Sequence, residues 1–258
     1  MTWSVPRDRS GQPSGLIGRP TSRPGVLYRC LRGLCGLVGR LLFRVELRGL
    51  EHLPRTADGR PVGGWIACGL PHRTWVEPFV LFFSLPAEPR IVMLGEGQAM
   101  FRSRWRAFLV RRVGGVVPVW PGSGPGGVET AIDGVCLALR AGAVFAIFPE
   151  VGPASRPPVL RHVSPGVARM AQRAGADVVP VVFGGSDDLY LRRRIVVRFL
   201  PPISPPPPGA GRANIDAYVA DLLALVQAAA DEAHRHALAG SPRRRLWRWL
   251  HGPFPRAE

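Results

Sequence analysis

The 258 residues are 46% apolar, enough to bury one large core with room for terminal appendages. The net charge is +16, and no lysine occurs anywhere, so the basic balance is carried by arginine alone. Four cysteines, Cys30, Cys35, Cys68 and Cys136, form no CxxC pair, which argues against a zinc site or disulfide framework and for a reducing compartment. Arginine in place of lysine, with abundant Ala, Gly and Pro, points to a GC-rich bacterial genome. The remaining basicity calls for an anionic partner, whether phospholipid, phosphorylated substrate or nucleic acid.

Residues 1–24 are polar and rich in Pro and Gly, and are expected to be a disordered tail without the apolar centre of a signal peptide. Residues 25–48 are expected to form an amphipathic helix. On a helical wheel over 26–45, Leu27, Leu31, Leu34, Val38, Leu41, Leu42 and Val45 share one face, and Arg29, Arg32, Arg40 and Arg44 share the other with Gly33, Gly36 and Gly39. Leucine opposite arginine is the pattern of a helix lying in a membrane interface. No run of 18 uncharged apolar residues occurs, so no spanning segment is expected.

Residues 49–200 alternate short apolar strands with helices. Strands are predicted at 62–68, 90–94, 115–119, 143–148, 178–183 and 195–200, and helices at 76–84, 98–111, 127–140 and 165–175. This alternation predicts an α/β domain with a mostly parallel central sheet flanked by helices. Residues 201–240 follow as a proline-rich connector and a helix capped by Asn214, with Ile215, Val219, Leu222, Leu223 and Val226 as its apolar stripe. Residues 241–258 form a basic tail in which arginine alternates with tryptophan, suited to a lipid interface or to nucleic acid.

Chemistry concentrates in two places. The first is Pro71-His72-Arg73-Thr74-Trp75-Val76-Glu77, directly after an apolar strand; the second is Phe148-Pro149-Glu150, at the end of another. An imidazole oriented by a carboxylate accepts a proton from an alcohol near neutral pH. Five residues apart on one helix, His72 and Glu77 would point about 140° away from each other. They meet only if His72 sits in a strand-to-helix turn and Glu77 in the first helical turn beyond it. Loops at the carboxyl ends of parallel strands are where sites form. His234 and His236 lie two apart on a helix and face apart, so no metal site is expected. Gly184-Gly185-Ser186 is not a nucleophile elbow, no Gly-x-Ser-x-Gly occurs, and Gly95-Glu96-Gly97 lacks the further glycine and lysine of a phosphate loop.

These motifs resemble the glycerolipid acyltransferase family over roughly residues 45–200. The family's His-x4-Asp motif is matched by His72 and Thr74, with Glu77 replacing the aspartate and Pro71 the usual asparagine. Its Phe-Pro-Glu-Gly-Thr motif is matched by Phe148, Pro149 and Glu150, with the glycine displaced to Gly152 and Arg156 the nearest arginine. Its Val-Pro strand is matched by Val178-Val179-Pro180. The glycine-bearing second motif corresponds to the segment from Gly114 to Trp120, where the expected arginine is missing.

The resemblance implies transfer of an acyl chain from acyl-CoA or acyl-ACP to a hydroxyl of a lipid-like acceptor, with no cofactor beyond that co-substrate. His72 would be the general base and Glu77 its orienting partner. Thr74, Glu150, Gly152, Arg156 and Arg161 would contact substrate, and Arg111 and Arg112 are further candidates for phosphate contacts. Because an aspartate would keep the carboxylate, Glu77→Asp is expected to retain activity, and Glu77→Gln to be much weaker. With the second-motif arginine absent, an acceptor with a different head group, or none, fits as well as lysophosphatidate. The expected location is peripheral, on the cytoplasmic side of a bacterial membrane, against its anionic surface. Two rival readings are an inactive, membrane-associated lipid-binding relative and a nucleic-acid binder. The second lacks any recognition motif, so no specific nucleic-acid partner is expected.

Overall fold

A computed structural model of the chain describes residues 21–97, 103–113, 115–119, 124–150, 162–187 and 189–238. The basic tail over 241–258 lies outside these residues, as does the expected disordered tail up to residue 20. Helix α1 (Val26–Leu42) leads into β1 (Phe43–Arg48), and β2 (Ile66–Leu70), α2 (Val76–Ser84), β3 (Ile91–Glu96), α3 (Arg104–Val113) and β4 (Val116–Val119) follow. The second half comprises α4 (Gly124–Arg140), β5 (Val144–Ile147), α5 (Gly166–Ala174), β6 (Val178–Gly184), β7 (Arg193–Phe199) and α6 (Arg212–Leu238). The strands form one seven-stranded sheet in the order β1-β7-β6-β2-β5-β3-β4, parallel except for the antiparallel β6/β7 pair.

Successive side chains of a strand point to opposite faces, and the core divides accordingly. Ile66, Cys68, Leu70, Phe145, Ile147, Val178 and Val182 pack beneath α4, α5 and α6. Trp65, Ala67, Val144, Ala146, Val179, Val181 and Phe183 face the opposite layer, where α2 contributes Val76, Val80, Leu81 and Phe83. Strands buried on both faces read as unbroken apolar runs rather than alternating ones, and β2 and β6 are buried along their whole length.

Two expectations are corrected. The predicted helix stops at Leu42, and residues 43–48 form β1, paired in parallel with β7 from Phe43↔Arg193 to Arg48↔Arg198. The period of two in Phe43, Val45 and Leu47 against Arg44, Glu46 and Arg48 is the strand signal that the helical reading absorbed. Second, α6 is part of the domain rather than an appendage. It lies on β6 and β7 and buries Ile215, Leu222, Val226, Ala229, Ala230, Ala233 and Ala237. It begins at Arg212, so Asn214 sits within the first turn and its amide donates to the Gly211 carbonyl. By length and composition alone α6 is long and apolar enough to cross a membrane, but its apolar stripe faces the sheet.

Helix α1 docks through its glycine-bearing face, which leaves the leucine face outward as the interfacial pattern implied. Its buried residues are Tyr28, Gly36 and Gly39, and a side chain at Gly39 would collide with the Phe83 ring on α2. The Ile91 amide donates to the buried Tyr28 hydroxyl at 3.0 Å, tying the helix to β3. The glycines and Arg32, which donates to the Phe83 and Leu85 carbonyls, therefore form the docking side. Leu34, Leu37, Val38 and Leu41 are left exposed.

Candidate active site

The neighbouring strands β6, β2 and β5 bring their carboxyl ends together, each carrying one part of the site. His72 lies in the turn after β2, Glu77 in the first turn of α2, Glu150 just beyond β5, and Ser186 just beyond β6. The strand-turn-helix arrangement inferred for His72 and Glu77 is the one observed.

The Glu77 side chain is fully buried. Its Oε2 accepts from His72 Nδ1 at 3.0 Å and from the amides of Arg73 and Thr74 at 3.0 and 2.8 Å. Its Oε1 accepts from the Ser186 hydroxyl at 2.5 Å. A buried carboxylate is tolerated only when its lone pairs are met, and here four donors meet them. An ionised carboxylate only accepts, so Nδ1 carries the ring proton and Nε2 is left as the acceptor. The His72 side chain is 37% exposed, so the ring remains accessible.

The ring is also held by packing. Phe148 lies against it with centroids 4.7 Å apart, and Phe148 in turn meets Phe183 at 5.9 Å. Gly69 makes room for this stack, since a side chain there would collide with the Phe148 ring. Glu150 fixes the backbone beneath: its Oε2 accepts from the His72 amide at 2.6 Å. An extended bridge between Glu150 and Val163 and a hydrogen bond from the Ser164 amide to the Pro149 carbonyl (2.8 Å) hold that carboxylate in turn. The structure thus gives Glu150 an anchoring role that its motif did not reveal.

Arg73 completes the charge pattern. Burial pulls its guanidinium below the usual arginine range, opposed by the carboxylates of Asp187, Glu150 and Glu77 around it. The Thr74 hydroxyl is buried and makes no hydrogen bond, so Thr74 enters the site through its amide. Because Glu77 takes the amides of Arg73 and Thr74, this pair is not free to form an oxyanion hole.

Gly152, Arg156 and Arg161 lie outside the described residues, as do Gly114, Trp120 and the side chains of Arg111 and Arg112. The described part of the second motif is β4, at the sheet edge and separated from β5 by β3. His234 and His236 do face apart: the first approaches Asp187 at 3.8 Å, the second Glu46 at 3.4 Å. No group of three metal-ligating side chains occurs among the described residues. All four cysteines are free. The thiol of Cys68, at the centre of β2, is pushed up to about 12 by complete burial and offers no thiolate nucleophile.

A family model described as Acyltransferase matches residues 44–184, from β1 through the end of β6. The chain belongs to the acyltransferase family. Its fold is similar to that of the 1-acyl-sn-glycerophosphate (LPA) acyltransferase PlsC from Thermotoga maritima, with a TM-score of 0.58 at 14% identity over 80% of each chain. At that identity the likeness concerns the fold. A comparison with curated protein sequences finds no match. Sequence reasoning on this acyltransferase missed Ser186 and the support from Phe148. The only available signal was their position at the ends of strands that flank β2.

Proposed function

We propose that this acyltransferase moves an acyl chain from a thioester, carried on CoA or acyl carrier protein, to a hydroxyl of a lipid-like acceptor. The observation that carries the reading is the 3.0 Å contact between His72 Nδ1 and the buried Glu77 carboxylate, which leaves Nε2 as a base. The acceptor hydroxyl gives its proton to Nε2 as its oxygen attacks the thioester carbonyl carbon. Glu77 stabilises the imidazolium that forms. The C–S bond then breaks, the imidazolium returns the proton to the departing thiolate, and an ester and a free thiol result. Glu150, Gly152, Arg156 and Arg161 are proposed to contact substrate, since guanidinium groups suit phosphate oxygens.

The test offers purified protein decanoyl-CoA and decanoyl-ACP, with lysophosphatidate, a neutral monoacylglycerol or no acceptor. Free thiol should appear together with an equal amount of new ester and only when an acceptor is present. Thiol release at the same rate without acceptor, or an isolable acyl-enzyme, would overturn direct transfer.

We further propose that the enzyme works peripherally on the cytoplasmic membrane surface. Support comes from a row of exposed apolar side chains on α1 (Leu34, Leu37, Val38, Leu41) and from exposed Trp75, just before the adjoining α2, and Phe79 on it, near His72. Arg40 and Arg44 are exposed nearby, whereas Arg32 is folded onto the protein and Arg29 pairs with Glu88. Two arginines near an anionic leaflet contribute about 1 kcal/mol each. In flotation, wild type should rise with vesicles containing phosphatidylglycerol and Leu34→Glu/Leu41→Glu should remain below. Equal partitioning of both proteins would remove α1 from the membrane contact.

A further inference from the structure

We propose that Ser186 is a positioning residue for acyl transfer, its buried hydroxyl holding the Glu77 carboxylate at the angle His72 requires. The inference rests on His72 being the general base. Glu77 divides its two oxygens: Oε2 serves the 72–74 turn with three contacts, and Oε1 accepts from the Ser186 hydroxyl. The last torsion of a glutamate side chain joins an sp³ to an sp² carbon, and its energy well is broad. Three donors converging on one oxygen fix that oxygen's position but not the plane of the carboxylate. A donor on the second oxygen fixes the plane, and with it the direction in which Oε2 meets Nδ1. Ser186 is 1% exposed, so no water competes freely for that place.

The loop that carries Ser186 is fastened for such a role. Gly184 presses against the Ala233 carbonyl of α6, and Gly185 has φ +86 with the Arg194 carbonyl where a side chain would go, so both positions require glycine. Arg193, fully buried on β7, donates through Nε to the Gly185 carbonyl at 2.9 Å. It also donates to the Tyr190 hydroxyl at 3.1 Å and lies over that ring at 5.3 Å. Because β7 runs antiparallel to β6, its first residue stands at the same sheet edge as the carboxyl end of β6. A guanidinium from the neighbouring strand thus grips the peptide next to Ser186, and the hydroxyl is held rather than left to drift.

A buried serine that only filled space would lower stability when changed; one that aims the carboxylate lowers turnover through Glu77. Decanoyl-CoA with lysophosphatidate and with monoacylglycerol serves as the kinetic probe, and ¹⁵N-labelled imidazole NMR reads the His72 Nδ1 proton without substrate. Ser186→Ala should reduce kcat about 10-fold, the low end for a supporting hydrogen bond, with KM within about twofold. It should also speed exchange of the Nδ1 proton with water. Ser186→Thr, which keeps the hydroxyl, should recover most of both. In a Glu77→Gln background Ser186→Ala should cause no further fall, since residues acting through one another are not additive. If Ser186→Ala does not fold, Ser186→Cys, of similar size and a weaker donor, carries the same comparison.

Wild-type kcat and exchange in Ser186→Ala, or a loss that simply adds to that of Glu77→Gln, would overturn the proposal. His72→Ala separates the two levels. If it is inactive while Ser186→Ala equals wild type, only the role of Ser186 fails; if it is fully active, the general-base reading fails with it.

Discussion

His72→Ala should lower kcat/KM for acyl transfer by about 10²- to 10⁴-fold, the usual cost of losing a general base, while the protein remains folded. The structure separates the two effects. The contacts through which position 72 supports the fold use its backbone, since the amide donates to Glu150 and alanine keeps it. The imidazole is partly exposed, its packing partner Phe148 retains Phe183, and Glu77 retains three of its four donors. Activity should therefore fall without a matching loss of thermal stability. Thiol release from decanoyl-CoA in the presence of acceptor, beside a circular-dichroism melt, measures both. Transfer at the wild-type rate by folded His72→Ala would end the mechanism.

Replacing Glu77 tests charge and reach separately. In Glu77→Gln the amide oxygen can occupy the three-donor position and the NH₂ can face Ser186, whose hydroxyl turns to accept. Shape is conserved and the negative charge is lost, so the imidazolium formed during attack goes uncompensated. A fall of about 10²- to 10⁴-fold is expected, comparable to losing the base or its orienting carboxylate. Glu77→Asp keeps the charge but withdraws it by about 1.5 Å, one carbon–carbon bond. From the motif alone Glu77→Asp should retain activity. The structure predicts a measurable loss instead, because a retracted carboxylate cannot span from the 72–74 turn to Ser186 without the backbone following. A Gln variant as active as wild type would sink the electrostatic role, and an Asp variant equal to wild type would sink the argument from reach. Steady-state kinetics on both, with kcat and KM resolved, decide.

Much of this was legible in the chain. The long apolar runs that became β2, β5 and β6 announced strands buried on both faces, and helices at helical spacing between them announced a mostly parallel sheet. The spacing of His72 and Glu77, wrong for one helix and right for a turn followed by a helix, located the pair that the fold brings into hydrogen-bond contact. What stayed hidden was whatever depends on which strands become neighbours. That β6 and β5 flank β2 is a fact of topology, and it alone brings Ser186 to one oxygen of Glu77 and Glu150 to the amide of His72. The docking contact of α1 was hidden for the same reason. A helical wheel placed the leucines outward but does not say which residues the other face will meet, and here it is the Phe83 ring that takes the close approach of the glycines. Period and spacing are properties of the chain taken locally, and they indicated most of the elements and the proximity of His72 and Glu77. The second ring of contacts arises from residues 70 to 110 positions apart, whose meeting only the assembled sheet decides.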